Sequence, residues 1–254
     1  MYPVQDSEKW FEIPVVATNI CDYDRSFGVE VDDKASNAIE KKQYVVESNT
    51  VTIKAGERVA KFRMKGIYEN IDKTDSLSVT FNLLAKDENV WDLYGTRTRV
   101  QMQKACPFEL STFEGYCLLT SSFFSAYMTN TEHRLLQAER DKTEDNTIIL
   151  HDFFYKNYDL KIKYDPSDPL KPFVEFDDQI IGSTAEAFGT IYGNGKLMCT
   201  QPVAYDSYYN VCQKFVFLYS TIYVVGKGTV GTYVNILEWI SDEEAEQYKK
   251  EEGL

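Results

Sequence analysis

Apolar and polar residues alternate with a period of two along most of this chain, and no other feature restricts its fold as much. Six segments before residue 103 show the pattern: "WFEIPVVA" (10–17), "FGVEV" (27–31), "TVTIK" (50–54), "VAKFRMK" (59–65), "SLSVTFNLL" (76–84) and "GTRTRVQM" (95–102). Successive side chains of a strand point to opposite faces, so each segment is predicted to be a strand with one buried face. Strands of this number and spacing predict an immunoglobulin-like β-sandwich.

A second strand pattern, longer and more aromatic, begins at Phe108. The stretch "QKACPFELS" (103–111) marks the boundary, because Pro107 closes the first alternating run. The clearest later strands are "YDLKIKY" (158–164), "TIYGNGKLM" (190–198) and "VCQKFVFLYSTIYVVGKGTVGTYVNILEWI" (211–240). About eight antiparallel strands in hairpin order predict an up-and-down, lipocalin-like β-barrel, with an open sandwich as the alternative.

The polar tail "SDEEAEQYKKEEGL" (241–254) predicts a short helix. Ser241 is suited to cap its N-terminus, and Glu244 follows three residues later, as in a capping box. We therefore predict an all-β protein with two domains. Residues 1–103 form the sandwich, and residues 104–254 form the antiparallel barrel and its C-terminal helix.

The first domain resembles a known family. Residues 35–85 run from an extended segment with a central tyrosine through "VTIKAG", an alternating strand, an acidic turn and a second alternating strand. This order is similar to the Calx-β pattern, and the resemblance extends over roughly residues 8–103. It implies a Calx-β-like sandwich, in agreement with the alternation.

The second half resembles the C-terminal domain of surface lipoproteins of the Bacteroidetes. The resemblance rests on "FEGYCLLTSSFF" (113–124), "DNTIILHDFFYKNYDLKIKYDP" (145–166) and "GTVGTYVNILEWI" (228–240). It implies an exported protein of the cell surface or outer membrane, with a lipid anchor upstream of this sequence, of the kind found with glycan-uptake systems. It implies no particular activity.

The Calx-β resemblance also implies a candidate calcium site. Calx-β domains that bind calcium use clustered loop carboxylates, since Ca²⁺ takes six to eight oxygen ligands. The matching turn, "YENIDKTDS" (68–76), keeps Glu69, Asp72 and Asp75, although Lys73 interrupts the cluster. The alternative is a set of solvated loop acids. No cofactor is predicted.

Charge and hydropathy argue against a nucleic-acid partner and against a membrane-spanning segment. The net charge of −13, without a stripe of lysine or arginine, repels phosphate backbones, so no nucleic-acid partner is expected. No apolar stretch is long enough to span a bilayer, so no transmembrane segment is predicted.

The five cysteines lack metal-ligand spacing. Cys199 and Cys212 could pair across a hairpin, or all five are small buried residues.

Signatures of catalysis are missing from the sequence. There is no GxSxG motif, and neither His133 nor His151 lies in a triad context. Asp177 and Asp178 are adjacent acids that favour a hairpin turn over a catalytic pair. We therefore predict that the protein is not an enzyme.

The segment "VAYDSYYNVC" (203–212) carries the candidate ligand site. Its aromatic and polar side chains are Tyr205, Asp206, Tyr208, Tyr209 and Asn210. Strand alternation places Tyr208 and Asn210 on one face and Tyr209 on the other, so one tyrosine should pack on the barrel while its neighbour meets solvent. The tyrosines either seal a barrel end or stack on a sugar, whose hydroxyls Asp206 and Asn210 would bind.

These observations predict a non-catalytic binding or adhesion module of the cell surface. Its expected partner is a carbohydrate or a surface protein. Two alternatives remain: a hydrolase acting on glycans, which needs a cleft with paired carboxylates, and a structural spacer in a surface assembly.

Overall fold

The computed structural model describes residues 1–86, 95–128, 130–169 and 171–252. The protein is mostly β, and the chain divides into two compact units, residues 1–106 and residues 107–254. None of the helices in the described residues has the length and apolar character required to cross a membrane.

The N-terminal unit consists of two facing β-sheets. Its strands are β1 (Tyr2–Val4), β2 (Phe11–Val16), β3 (Arg25–Val31), β4 (Tyr44–Val46), β5 (Thr50–Ile53), β6 (Val59–Gly66), β7 (Leu77–Leu84) and β8 (Arg97–Lys104). One sheet has the order β1-β8-β7-β3-β5, and the other has the order β2-β6-β4. Both sheets contribute to one core, in which the rings of Phe62 and Phe81 meet edge to face at 4.9 Å. The alternation therefore identified the apolar core face of β6 and β7 correctly, but the opposite face of β7 is not open to solvent, because Ser78 and Thr80 are buried.

The solvent face of the three-stranded sheet carries paired charges. Glu12 on β2 accepts hydrogen bonds from Lys61 and Arg63 on β6. Arg63 also lies 3.4 Å from Glu47, which follows β4. Opposite charges therefore alternate across this face, and water reaches all of them.

The C-terminal unit is a closed barrel. Its strands are β9 (Gly115–Ser121), β10 (His133–Arg140), β11 (Thr147–Leu150), β12 (Leu160–Asp165), β13 (Phe173–Glu175), β14 (Gln179–Ser183), β15 (Lys196–Thr200), β16 (Ser207–Asn210), β17 (Phe215–Val224) and β18 (Gly228–Trp239). Eight strands close the ring in the order β17-β16-β13-β12-β11-β10-β9-β18, because β18 pairs with β17. Strands β15 and β14 extend from the far end of β17. The all-β prediction with a barrel and a short helix is confirmed.

Side chains occupy the inside of this barrel. Phe123 and Phe154 stack at 4.6 Å, and Phe113 meets Trp239 edge to face at 5.0 Å. All four belong to one buried cluster that includes residues from every strand of the ring. The barrel interior is therefore filled by side chains, unlike the ligand cavity of a lipocalin, and the outer wall is the surface that a ligand can reach.

Among the described residues, short α-helices accompany the strands: α1 (Phe124–Tyr127), α2 (Thr184–Phe188) and α3 (Asp242–Glu252). The capping box predicted for α3 is confirmed, since Glu244 N donates to Ser241 Oγ and Ser241 N donates to Glu244 Oε2. Ala245 is buried, and Lys249 Nζ lies 4.2 Å from the centre of the Tyr116 ring on β9. Helix α3 thus covers part of the outer wall.

Candidate functional site

A line of aromatic rings crosses the outer wall of the barrel on β16 and β17. The alternation of β17 buries Val216, Leu218, Ser220 and Ile222 and directs Phe215, Phe217 and Tyr219 outward. On β16, Tyr208 is paired in register with Phe217, and their rings stack at 5.4 Å. Tyr205, in the preceding loop, stacks on Tyr219 at 5.0 Å.

These five residues form a continuous surface feature, which we call the aromatic row: Tyr205, Tyr219, Phe217, Tyr208 and Phe215. The remaining contacts are Phe217 with Tyr219 at 5.3 Å and Tyr208 with Phe215 at 6.1 Å. Tyr205 is 52% exposed and Tyr208 is 39% exposed, while the β17 residues are half-buried. A contiguous apolar patch on the surface of a soluble protein typically marks a binding site.

Tyr209 and Asn210, two of the predicted ligand residues, have structural roles instead. Tyr209 points into the core, where its hydroxyl donates to the Asp165 carbonyl at 3.2 Å, and burial raises the pKa of this phenol to about 12. Asn210 Oδ1 accepts from Gln213 N at 2.9 Å and closes the turn between β16 and β17. The Tyr209 side chain is therefore not on the surface, whereas Asn210 is half-buried and only its amide oxygen is engaged.

The other three predicted residues remain on the surface. Tyr205 and Tyr208 belong to the aromatic row, and the exposed Asp206 lies between them in the chain. The expected opposition of Tyr208 and Tyr209 is confirmed. Phe215, Phe217 and Tyr219 were not predicted as site residues, although their spacing of two residues placed them on one strand face.

A polar cleft lies on the same barrel, against β12 and β13. Its volume is about 580 Å³, and its charged lining residues are Glu144, Lys161, Lys163, Glu175 and Asp177. A volume of this size is in the range of small-molecule sites. The adjacent acids Asp177 and Asp178 separate here: Asp177 lines the cleft, whereas Asp178 accepts from the Tyr223 hydroxyl at 2.6 Å.

Hydrogen bonds fix two walls of this cleft. The side-chain amide of Gln179 binds both the N–H and the carbonyl of Lys161, each at 2.8 Å. Gln201 Oε1 accepts from Phe176 N at 3.1 Å. These bonds connect β14 with β12, and the residue after β15 with the residue after β13, without the help of a ligand.

Lys161 is held by two carboxylates. Its ammonium lies 2.5 Å from the nearly buried Asp141 and 3.4 Å from Glu144. The hydrogen bond from Lys161, followed by bonds from the Thr143 hydroxyl and N–H, holds the pKa of Asp141 well below its usual range. Asp141 therefore stays ionised and keeps Lys161 in place.

The predicted calcium ligands are not brought together. Glu69 lies in a 3-10 helix (Tyr68–Asn70), and the Asp75 carboxylate accepts from Asp72 N at 3.1 Å. In the part of the chain that the structure describes, no three histidine, cysteine, aspartate or glutamate side chains form a group that could hold a metal ion. One oxygen of the Asp75 carboxylate is therefore engaged within the turn, and calcium binding by these loop acids stays a prediction.

The suggested pairing of Cys199 with Cys212 is wrong. Cys199 is a buried free thiol on β15, and burial raises its pKa to about 12. Cys212 is disulfide-bonded. The alternative, that all five cysteines are buried thiols, is equally wrong, since Cys21 is only partly buried.

Comparisons with known proteins give one family and several solved structures. Residues 93–251 match the sequence model of a family described as "Domain of unknown function (DUF4984)". No curated protein matches the chain. A Bacteroides ovatus protein of unknown function is 9% identical with a TM-score of 0.38, covering 93% of this chain and 86% of its own. An auxiliary nutrient binding protein from Bacteroides thetaiotaomicron is 10% identical with a TM-score of 0.31, covering 90% and 82%.

Proposed function

We propose that this chain, which belongs to the DUF4984 family, is a non-catalytic binding module that holds a glycan on the outer wall of its barrel. The observation that carries the proposal is the aromatic row, with Tyr205 and Tyr208 at its most exposed positions. Sugar rings present C–H faces that pack on aromatic rings. Several rings in a line suit a chain of sugars better than a single one.

The polar surroundings of the row support the same function. Asp206 lies between Tyr205 and Tyr208 in the chain, and its exposed carboxylate makes no hydrogen bond or ion pair with another described residue. A free carboxylate beside stacked rings is suited to accept hydrogen bonds from sugar hydroxyls. Stacking would then supply contact area, and Asp206 would orient the sugar.

Binding without catalysis is favoured by the number of acids at the row. Glycoside hydrolysis needs two carboxyl groups on either side of the scissile bond. The segment 203–210 contains one acid, Asp206. The segment itself therefore has the residues of a stacking platform and supplies only one of the two carboxyl groups that glycoside hydrolysis requires.

Location at the cell surface is part of this proposal. The resemblance to Bacteroidetes surface lipoproteins implies export and a lipid anchor upstream of the sequence. Cys212 is disulfide-bonded, and structural disulfides persist mainly in oxidising compartments. Both observations support an exported protein that meets glycans outside the cell.

The test compares two exposed tyrosine sites. The double variant Tyr205→Ala/Tyr208→Ala and the control Tyr192→Ala, whose tyrosine is 49% exposed elsewhere on the barrel, are titrated calorimetrically with hexasaccharides of glucose, xylose and mannose. We expect the double variant to lose binding with little change in melting temperature, while the control binds like the wild type.

Three results would contradict this proposal. A lower melting temperature with unchanged binding would make the tyrosines a structural cap. Absence of binding by the wild type would favour the spacer. Release of shorter sugars from any hexasaccharide would make the protein a hydrolase.

A further inference from the structure

The cleft leaves three charged groups without a partner. Lys163, Glu175 and Asp177 line it, are exposed, and make no side-chain hydrogen bond or ion pair with other described residues. Lys163 and Glu175 are even paired in register on β12 and β13, yet they do not contact each other. Lys161, in contrast, is occupied by Asp141 and Glu144.

The cleft and the aromatic row are neighbours on one sheet surface. On β13, Phe173 is paired with Tyr208 of the row, and Glu175 of the cleft comes two residues later on the same face. Two residues of a strand span about 6.6 Å. The loop from Gln201 to Asp206 also begins at the cleft and carries Tyr205 into the row. A short oligosaccharide can therefore reach both.

We infer that this cleft is a second subsite for the glycan, in which Glu175, Asp177 and Lys163 bind the hydroxyls of a neutral sugar. The inference rests on the proposed function, because the cleft would bind a further sugar ring of the same glycan whose other rings lie on the aromatic row. Two carboxylates and one ammonium supply both acceptors and donors, as a ring with several hydroxyl groups requires.

The charges of the cleft select against acidic sugars. Among its unpartnered groups, two carboxylates outnumber one ammonium, and Asp206 adds a further negative charge beside the row. The protein as a whole carries −13. A uronate carboxylate would face the negative charges of Glu175, Asp177 and Asp206. Repulsion between like charges therefore disfavours an acidic glycan. The predicted ligand class is thus a neutral glycan.

The experiment uses the whole chain and calorimetric titration with the three neutral hexasaccharides and with hexagalacturonate. Glu175→Ala/Asp177→Ala should weaken binding of the neutral ligand roughly tenfold or more, as expected for lost charge-assisted hydrogen bonds. The control Glu132→Ala/Glu243→Ala removes two exposed acids that do not line the cleft and should bind like the wild type.

A second, isosteric variant tests the selectivity. Glu175→Gln/Asp177→Asn keeps the size of both side chains, so it should fold normally while improving binding of hexagalacturonate roughly tenfold at low salt. Loss of binding in the row variant with unchanged binding in both cleft variants would overturn the second subsite and leave the proposed function standing. If wild-type protein binds none of the neutral ligands, the proposed function fails, and the subsite fails with it.

Discussion

The outward faces of the two units arise from the same alternation and are filled differently. On the sandwich, the middle of the outward face of β2 and β6 is charged, and Lys61 and Arg63 are paired with Glu12 and Glu47, while the exposed Val16 and Val59 lie at one end of that face. On the barrel, the outward residues of β17 are Phe215, Phe217 and Tyr219. The buried faces of both units are apolar, so the difference lies only in what each unit presents to solvent.

The two faces differ as a hydrated surface differs from the proposed binding surface. Exposed ion pairs remain hydrated and contribute little to stability, so the charges of the sandwich face are satisfied by one another and by water. Exposed aromatic area is unfavourable in water, and a ligand that covers it gains free energy. The barrel wall is therefore the face that benefits from a partner.

The grooves of the two units show the same contrast. The sandwich has an open groove of about 430 Å³, in whose lining Lys61 and Arg63 are engaged with glutamates and Glu57 is the exposed acid without a side-chain hydrogen bond among the described residues. The barrel cleft exposes Glu175 and Asp177 without partners. Charges already paired within the protein must break that pairing to bind a ligand, whereas unpaired charges need not.

The largest effect concerns the independence of the two units. The barrel unit has its own closed ring and its own buried core, so residues 105–254 expressed alone should fold. Circular dichroism should show a β spectrum and a cooperative thermal transition. An unfolded or aggregated product would mean that the sandwich and the barrel fold only as one unit.

Two adjacent tyrosines give the next largest contrast. Tyr209 is buried against Phe113 and Tyr164, whereas Tyr208 lies on the outer wall. Tyr209→Ala should lower the free energy of unfolding by about 3–5 kcal/mol, and Tyr208→Ala by about 1 kcal/mol or less. Urea denaturation of both variants measures the difference, and equal losses would show that the wall and the core are not distinct.

The fold was predictable because alternation reports burial directly. Phe62 and Phe81 were placed correctly on the buried face from their neighbours alone. The closure of the ring was less accessible, since it depends on β9 and β18 pairing across more than a hundred residues of chain. Local periodicity contains no information about that partner.

The site was predictable only in part, for a related reason. Alternation separates Tyr208 from Tyr209 but does not say which is inside; that depends on the partner strands β13 and β17. The cleft collects Lys163, Glu175 and Asp177 from β12, β13 and the loop after β13. No spacing rule joins such residues, because only the sheet brings them together.

A smaller effect is expected from pH, at Asp141. Its lowered pKa means that the folded state favours the ionised form, so this stabilisation is complete above the unfolded pKa of about 3.9 and is lost as the pH falls through the folded value. The wild type should exceed Asp141→Asn in melting temperature by a constant amount between about pH 5 and 7, and the gap should shrink below about pH 4. Thermal scans with Asp145→Asn as the control, which should follow the wild type, measure this. A gap that does not change with pH would assign the stabilisation to shape and not to charge.

The smallest effect is expected on the charged face of the sandwich. Glu12→Gln removes the acid that binds Lys61 and Arg63 while keeping the shape of the side chain. Because these groups are exposed and screened by salt, the melting temperature at neutral pH and about 0.15 M salt should not change measurably. Glycan binding should also be unaffected, since this residue lies on the other unit. Differential scanning calorimetry and the hexasaccharide titration check both points. A marked loss of stability or of binding would show that the ion-paired face does more than remain hydrated, and the contrast between the two outward faces would then no longer identify the binding surface.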